Sequence, residues 1–120
     1  MLGSKDFKQS SKFYDSIFVP LEIKKIVTTE RYVGYGHLNE PDDVKFYLTK
    51  PRNGEPATYG NGTMIAFLAK TKEAVDRFHK IALENGAVNE GLPGVREDGN
   101  YYAYVRDLDG NKITAKCIIN

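Results

Sequence analysis

The sequence lacks the features that mark several specialised classes of protein. It contains one cysteine, Cys117, and no tryptophan in 120 residues. A single cysteine excludes an internal disulfide and is typical of a protein from a reducing compartment. No apolar run is long enough to span a bilayer, and the N-terminus lacks the apolar core of a signal peptide. We therefore expect a cytoplasmic protein with no membrane partner.

The sequence also lacks an excess of either charge. It has 17 Lys and Arg against 16 Asp and Glu, a net charge of +1, and acidic residues interrupt the lysines throughout. Binding to nucleic acid requires a basic patch or stripe, so we expect no nucleic-acid partner. What is present is ordinary for one globular domain, 41% apolar and 28% charged residues, except for 8 Tyr. Tyrosine suits half-wet cavities and interfaces.

The first half of the chain predicts a helix followed by three strands. Aromatic and apolar residues recur at intervals of three and four, Asp6 is a plausible N-cap, and Pro20 ends the helix. The β-branched residues and the alternation that follow are typical of strands. The predicted elements are a helix over 7–18 and strands over 21–28, 31–37 and 44–49. The Gly, Pro and Asn of residues 51–62 indicate a loop.

The second half repeats this order. "MIAFLA" predicts a strand, Thr71 is a good N-cap for the next helix, and Gly86 closes that helix. The predicted elements are strands over 64–69, 87–90, 101–106 and 112–118, a helix over 72–85 and a loop over 91–100.

The two halves predict one architecture. Pseudo-repeats over about 1–50 and 62–120, joined by a linker over 51–61, each read strand, helix and three strands, with a short first strand in "MLGSK". We therefore predict an α+β fold and a single domain over 1–120. Two paired βαβββ modules would form a curved mixed sheet around a cleft, with the helices outside.

Four segments resemble the vicinal oxygen chelate superfamily, which contains glyoxalase I, bleomycin-resistance proteins and extradiol dioxygenases. The matching segments are "KFYDSIFVPL" (12–21), "GNGTMIAFLAKTKEAVDRFHKIALENGA" (60–87), "GLPGVRE" (91–97) and "YYAYVRDLDGNKI" (101–113). The resemblance covers nearly the whole chain in the family's order, and it is greatest to small bacterial glyoxalase-like members. It implies the paired βαβββ fold predicted above.

The resemblance also locates the positions at which metal-dependent members hold their ligands. The family's histidine in the second half falls on Met64, its glutamate on Thr114, and the carboxylate of the first half on Tyr47. The remaining histidine would fall about two residues before Met1, so either this start is genuine or translation begins upstream. Thioether and hydroxyl groups are poor ligands for divalent zinc, nickel, iron or manganese. We therefore expect no metal and no other cofactor.

Strand alternation predicts which side chains face the cleft. Val44, Phe46 and Leu48 are expected under the helices, and the repeat assigns Val33, with its neighbours, to the other face. The predicted cleft residues are Tyr35, His37, Tyr47, Thr49, Met64, Tyr102, Tyr104, Arg106, Thr114 and Lys116. Their composition suits an apolar or aromatic ligand with one anionic group. The alternative is that these side chains fill the cleft and pack against one another or a second subunit.

Five further residues have chemistry that must be weighed. His37 is a weak candidate for a general base, because no carboxylate partner can be placed beside it. His79 is expected to be a solvated or capping residue, and Cys117 a buried small hydrophobe. Asp107 and Asp109 lie in a Gly-containing turn, where bonding to the backbone is favoured over acid–base chemistry.

Three functions remain open. The first is a metal-free glyoxalase-like protein that binds a small aromatic or apolar anion in its cleft. The second is a glyoxalase-type lyase or isomerase with an unconventional metal site, and the third is a non-catalytic interaction domain whose cleft is the interface. The sequence does not decide whether the protein is an enzyme and does not identify the ligand. Small members of the superfamily commonly dimerise, so the resemblance implies a homodimer with clefts near its interface.

Overall fold

A computed structural model describes residues 1–119, so the final residue of the second predicted repeat, Asn120, lies outside the described residues. Each half of the chain contains a strand, a helix and three strands, which confirms the predicted α+β class. Neither helix within residues 1–119 is long and apolar enough to cross a membrane. The elements are β1 Leu2–Gly3, α1 Phe7–Ile17, β2 Ile23–Thr28, β3 Tyr32–His37, β4 Phe46–Thr49, β5 Met64–Leu68, α2 Lys72–Glu84, β6 Val88–Val95, β7 Tyr101–Arg106 and β8 Lys112–Cys117.

The strands form two four-stranded mixed sheets of identical topology. The first has the order β1-β4-β3-β2 and the second β5-β8-β7-β6. In each sheet the first strand runs parallel to the last strand of its half, and the other pairs are antiparallel. A parallel pair needs a crossover, which the helix of each half begins. The curved sheet predicted from the repeat is thus built from two separate halves.

Local sequence determines where the helices begin and end. The Asp6 side chain accepts a hydrogen bond from Gln9 N at 3.2 Å, and Thr71 accepts one from Ala74 N at 3.0 Å. These contacts confirm both predicted N-caps. A 3₁₀ turn over Val19–Leu21 follows α1, so β2 begins at Ile23 rather than at Leu21.

Strand β6 differs from the sequence prediction. It extends to Val95, whereas a loop was predicted from Gly91, and its pairing with β7 is interrupted by two register shifts. Glycine reads as a loop signal, but here it allows a close approach: a Cβ at Gly91 would lie 2.8 Å from Cδ2 of Tyr104. Gly91 in β6 therefore accommodates the aromatic side chain of Tyr104 in β7.

One aromatic cluster joins the two halves. The ring centroid of Phe67 in β5 lies 5.0 Å from that of Phe18 and 5.3 Å from that of Phe46, both from the first half. The rings meet edge to face, the arrangement that aromatic quadrupoles favour. All three side chains are buried. The hydrophobic core is therefore shared by the two sheets.

The turn between β7 and β8 forms a second, polar connection between the halves. Asp109 accepts hydrogen bonds from Lys5 N at 2.7 Å and from the Ser10 hydroxyl at 2.9 Å. The Asn111 amide donates to Gly3 O at 3.2 Å. The turn "DLDGN" thus attaches β1 and the start of α1 to the second sheet.

Asp107 in the same turn is held by donors on several sides. Its Oδ1 accepts from the backbone N–H groups of Asp109 and Asn111, each at 2.9 Å, and its Oδ2 from the Tyr14 hydroxyl at 2.6 Å. Burial raises the pKa of Asp107, although these hydrogen bonds oppose the rise. Burial and the adjacent carboxylate raise the pKa of Tyr14 as well. The predicted backbone bonding by Asp107 is confirmed.

Candidate functional site on the second sheet

The surface of the second sheet that faces away from α2 carries a stacked pair of tyrosines. Tyr102 and Tyr104 alternate with the buried core residues of β7, so their rings emerge side by side on the opposite face. The two ring centroids are 5.7 Å apart and the planes differ by 5°. An open depression of about 440 Å³ lies beside them, lined by Met64, Arg96, Glu97, Asp98, Tyr102 and Tyr104. We call this surface the tyrosine face.

Three cations surround the two rings. The guanidinium carbon of Arg96 and Nζ of Lys112 each lie 5.3 Å from the Tyr104 centroid, and Nζ of Lys116 lies 5.3 Å from that of Tyr102. These distances fall within the range of a cation–π contact. Lys116 is also 3.5 Å from Oδ2 of Asp98, whereas neither Arg96 nor Lys112 has an ion pair with any residue in 1–119. Arg96 and Lys112 therefore lack a close ion pair, although the charge of Lys112 helps to lower the pKa of Glu90 and the carboxylates of Glu97 and Asp98 line the same depression as Arg96.

Asp98 is fixed at the edge of the tyrosine face. It accepts a hydrogen bond from the Tyr102 hydroxyl and another from Asn100 N. The Tyr102 bond is the main reason that the pKa of Asp98 falls from its usual 3.8 to about 2. Burial raises the pKa of Tyr104. At neutral pH the carboxylate of Asp98 is thus ionised and the phenol of Tyr104 is neutral.

Arg106, a predicted cleft residue, forms an ion pair within the protein. Its Nε donates to Oε1 of Glu90 at 2.7 Å, and Nη1 donates to Gly110 O at 3.1 Å. The guanidinium also lies 5.8 Å from the ring of Tyr59 in the linker. The expectation that Arg106 supplies a free positive charge to a ligand is corrected, because its charge is neutralised by Glu90.

Thr114 is on the predicted strand but is inaccessible. It pairs across the ladder with Tyr104, and its side chain is completely buried. Its hydroxyl donates to Ala103 O at 2.7 Å. The placement of Thr114 as a ligand-contacting residue is corrected, since it lies below the accessible surface of the face.

Two other predicted cleft residues, Tyr47 and Thr49, lie on β4 of the first sheet. Tyr47 is half-buried and meets Tyr32 edge to face, with centroids 5.5 Å apart. The Thr49 hydroxyl donates to Lys50 O at 2.8 Å. No ring contact or hydrogen bond within residues 1–119 joins Tyr47 to the tyrosine face. The predicted set is therefore divided between two sheets.

The outer face of the first sheet is partly filled by aliphatic side chains. A Cβ at Gly34 would lie 2.7 Å from Cγ1 of Val27 and 3.0 Å from Cγ1 of Val44. Val44 was expected under the helices, but it precedes β4 and covers Gly34 on the face of the sheet opposite to the core. Gly34 pairs with Tyr47 across the ladder. The expectation for Val44 is therefore corrected: with Val27, it occupies part of the outer face of the first sheet.

Tyr35 is the clearest error in the predicted cleft. It is completely buried, and its hydroxyl donates to Ser11 O at 3.2 Å and to Oδ1 of Asp15 at 3.0 Å, both on α1. Burial raises its pKa. The error came from aligning β3 with β7 one residue out of phase: Val33 belongs to the core, so Tyr35 does too.

His37 follows the same strand phase and reaches the junction between the two halves. It lines a cavity of about 220 Å³ together with Phe46 and Leu68 among others. Its side chain makes no hydrogen bond or ion pair with the residues in 1–119. Without a carboxylate partner, nothing in its surroundings favours a general base.

His79 and Cys117 have structural surroundings. His79 is 5% exposed, and its Nε2 lies 2.9 Å from Oδ1 of Asn89 in β6. The expectation of a solvated or capping histidine is therefore wrong; the residue connects α2 to the sheet beneath it. Cys117 is buried, as predicted.

The residues at the family's metal-ligand positions do not fit that metal. Met64 is 44% exposed, Thr114 donates its hydroxyl to a backbone carbonyl, and Tyr47 packs on Tyr32. None supplies the imidazole or carboxylate that such a site requires. Within residues 1–119, no three His, Cys, Asp or Glu side chains converge as a metal site would need.

Sequence reasoning missed three residues of these surfaces: Tyr32, Arg96 and Lys112. The apolar Val33 between Tyr32 and Gly34 indicates the correct phase of β3, and using it would have placed Tyr32 beside Tyr47. Lys112 lies on the same face of β8 as Lys116, so strand alternation could have placed it beside the two tyrosines. Arg96 follows β6, the strand that was read as a loop, so no pattern predicted it.

Comparison with known proteins agrees with the fold and identifies the family. The sequence model of the Glyoxalase/Bleomycin resistance protein/Dioxygenase superfamily matches residues 1–114. The structure of a glyoxalase/bleomycin resistance protein from Albidiferax ferrireducens T118 is 39% identical, with a TM-score of 0.89 over 99% of this chain and 95% of that one. No curated protein matches.

More distant structures share the fold alone. A glyoxalase/bleomycin resistance protein/dioxygenase family enzyme from Burkholderia phytofirmans PsJN is 18% identical, with a TM-score of 0.72 over 98% of this chain and 94% of that one. A lactoylglutathione lyase from Agrobacterium tumefaciens is 19% identical, with a TM-score of 0.65 over 97% and 88%. From the match over residues 1–114 and the 39% identical relative, the chain belongs to the glyoxalase/bleomycin resistance protein/dioxygenase superfamily.

Proposed function

We propose that the protein binds a small aromatic anion on the tyrosine face and that this binding requires no metal. The observation that carries the proposal is a pair of cations on the ring of Tyr104, Arg96 and Lys112, neither of which forms an ion pair with residues 1–119. A planar aromatic group can lie against the edges of the Tyr102 and Tyr104 rings, while its anionic substituent contacts the two cations. A neutral ligand would leave both cations without a close ion pair.

The size and composition of the depression support a small ligand. Its volume of about 440 Å³ lies within the range of ligand sites, roughly 300–1,000 Å³. Met64 adds an exposed, polarizable side chain that suits aromatic contacts. The stacked tyrosines partly fill the sheet surface themselves, so the ligand is expected to lie against their edges and the neighbouring cations.

Metal independence is supported by the chemistry at the family's ligand positions. A glyoxalase-type lyase or isomerase would need a metal held by Tyr47, Met64 and Thr114, and the buried Thr114 hydroxyl already donates to a carbonyl. A chelator separates the two functions: binding to the tyrosine face persists in its presence, whereas a metal-dependent reaction is lost.

The proposal is tested by thermal-shift screening of aromatic carboxylates, each paired with its neutral primary amide and with an aliphatic carboxylate. Ligand binding to the folded state raises the melting temperature. We expect the aromatic carboxylates to be selected, and calorimetry on the best of them to give about tenfold weaker binding for Lys112→Gln, the loss of one charge-assisted contact.

Two variants make this test specific. Tyr104→Ala removes both the ring edge that the ligand would contact and the ring on which Arg96 and Lys112 lie, so it should abolish most of the binding. Lys80→Gln changes the net charge equally at an exposed position on α2 and should leave binding unchanged. Equal affinity of carboxylate and amide, or equal losses for Lys112→Gln and Lys80→Gln, would contradict the proposed site.

We further propose that the protein is a homodimer whose interface adjoins the tyrosine face. Leu68 and Met64 of β5 and Leu92 of β6 expose large apolar surfaces on the second sheet, at 60%, 44% and 67%. β6 is also an edge strand, which a lone sheet must protect. Light scattering at micromolar concentration is expected to give twice the mass of the 13.5 kDa chain; a mass of one chain would exclude the dimer.

A further inference from the structure

A cationic depression lies on the first half of the molecule, away from the tyrosine face. Its volume is about 600 Å³. We propose that it binds the phosphate groups of a small phosphorylated molecule. The residues that line it are Lys5, Arg31, Lys50, Pro51, Arg52, Gly54, Glu55 and Pro56. We call it the basic depression.

The cations of the basic depression form no ion pair with residues 1–119. Within residues 1–119, all six ion pairs involve other side chains. The lining has four cations and one carboxylate, although the chain as a whole carries a net charge of only +1. Charges of one sign gathered in a concavity focus the field and attract a counter-ion. An anion is therefore the ligand that this surface lacks.

The backbone around the depression is fixed by hydrogen bonds. Lys50 N donates to Arg31 O at 2.9 Å, which holds together two cations that flank the adjacent ends of β3 and β4. Lys5 N donates to Asp109 at 2.7 Å, and Gly54 N closes a turn onto Pro51 O at 3.1 Å. Nζ of Lys50 lies 5.6 Å from the centroid of Phe7. The Cα positions that carry the charges thus need little ordering when a ligand binds.

Phosphate is the anion that best suits this group of residues. Arginine presents a planar fork to phosphate oxygens, and lysine adds compact point charges, so several cations can share a multiply charged group. Among residues 1–119, no aromatic side chain on which a nucleobase could stack lines the depression. A near-neutral chain also lacks the extended basic surface of a nucleic-acid-binding protein. A compact di- or triphosphate is therefore favoured over a polymer.

Calorimetric titration with inorganic triphosphate tests the proposal. We expect saturable one-to-one binding that weakens steeply between low salt and about 0.15 M salt. Arg31→Gln/Lys50→Gln should weaken it by about tenfold or more. Lys5→Gln/Arg52→Gln, at two exposed positions, should weaken it similarly and guards against a loss caused by unfolding of the first variant.

The matched control is Lys12→Gln/Lys80→Gln, which removes the same charge from exposed positions on α1 and α2. It should bind triphosphate as the wild-type protein does. If triphosphate binding weakened equally in the control and in both depression variants, the effect would depend on the overall charge of the protein alone, and the proposal would be overturned. Tighter binding of a short DNA duplex than of triphosphate would overturn it in favour of a nucleic-acid surface. Because the basic depression shares no lining residue with the tyrosine face, neither result bears on the aromatic-anion proposal.

Discussion

At the scale of single residues, the hydrogen bond from the Tyr102 hydroxyl lowers the pKa of Asp98 at the edge of the tyrosine face. With a pKa of about 2 against the ordinary 3.8, the carboxylate stabilises the fold above pH 3.8, and this stabilisation is lost as the pH falls from 3.8 toward 2. Tyr102→Phe should move the pKa of Asp98 back toward 3.8. Carbon-detected NMR of the side-chain carboxyl measures it; an unchanged midpoint near pH 2 would mean that Tyr102 is not the cause.

The buried pair of Tyr14 and Asp107 is a second single-residue test. Tyr14→Phe leaves the buried carboxylate without one donor, so the free energy of unfolding should fall by about 1–3 kcal/mol. The pKa of Asp107, already raised by burial, should rise further. Tyr101→Phe removes an exposed bond to Asp76 and should cost less than about 1 kcal/mol. Urea denaturation of both variants compares them; equal losses would contradict the structural role of Asp107.

At the scale of elements, Gly110 in the β7–β8 turn has a left-handed backbone conformation and lies next to Tyr59 of the linker. Gly110 has φ of 85°, and a Cβ there would lie 2.7 Å from Cδ1 of Tyr59. Gly54 has φ of 77° but no atom near its Cβ position. Gly54→Ala should lower the free energy of unfolding by about 1–2 kcal/mol through backbone strain. Gly110→Ala should lower it by about 0.5–1 kcal/mol more, because Tyr59 must move and lose its contact with the Arg106 guanidinium. In a Tyr59→Ala background that extra cost should vanish in urea denaturation; its persistence would exclude the Tyr59 contact as the cause.

The elements themselves were largely predictable, since period, caps and turns are local properties. The βαβββ order, both N-caps and the bounds of β7 followed from the sequence. Strand β6 did not, because a glycine that permits close approach cannot be distinguished from one in a loop. The face of β3 was misassigned because the repeat was aligned by order rather than by its own apolar residue, Val33. That single-residue slip placed the buried Tyr35 in the site.

At the scale of the whole molecule, the two halves are expected to unfold together because they share one aromatic cluster. Phe67→Ala should lower the free energy of unfolding by about 3–5 kcal/mol while leaving a single transition. Val19→Ala, at a position that is 61% exposed and outside the proposed dimer interface, should change it by no more than about 0.5 kcal/mol. Thermal denaturation followed by two probes tests this; two separate transitions in the wild-type protein would contradict the shared core.

The central claim is that this member of the superfamily binds an aromatic anion on the tyrosine face without the family's metal. It is tested most directly by NMR titration of isotope-labelled protein with the best aromatic carboxylate in the presence of a chelator. The account predicts saturable shifts centred on the backbone and side chains of Tyr102, Tyr104, Arg96 and Lys112, with an affinity that the chelator does not change. Shifts centred elsewhere, or binding that disappears when the chelator is added, would contradict it.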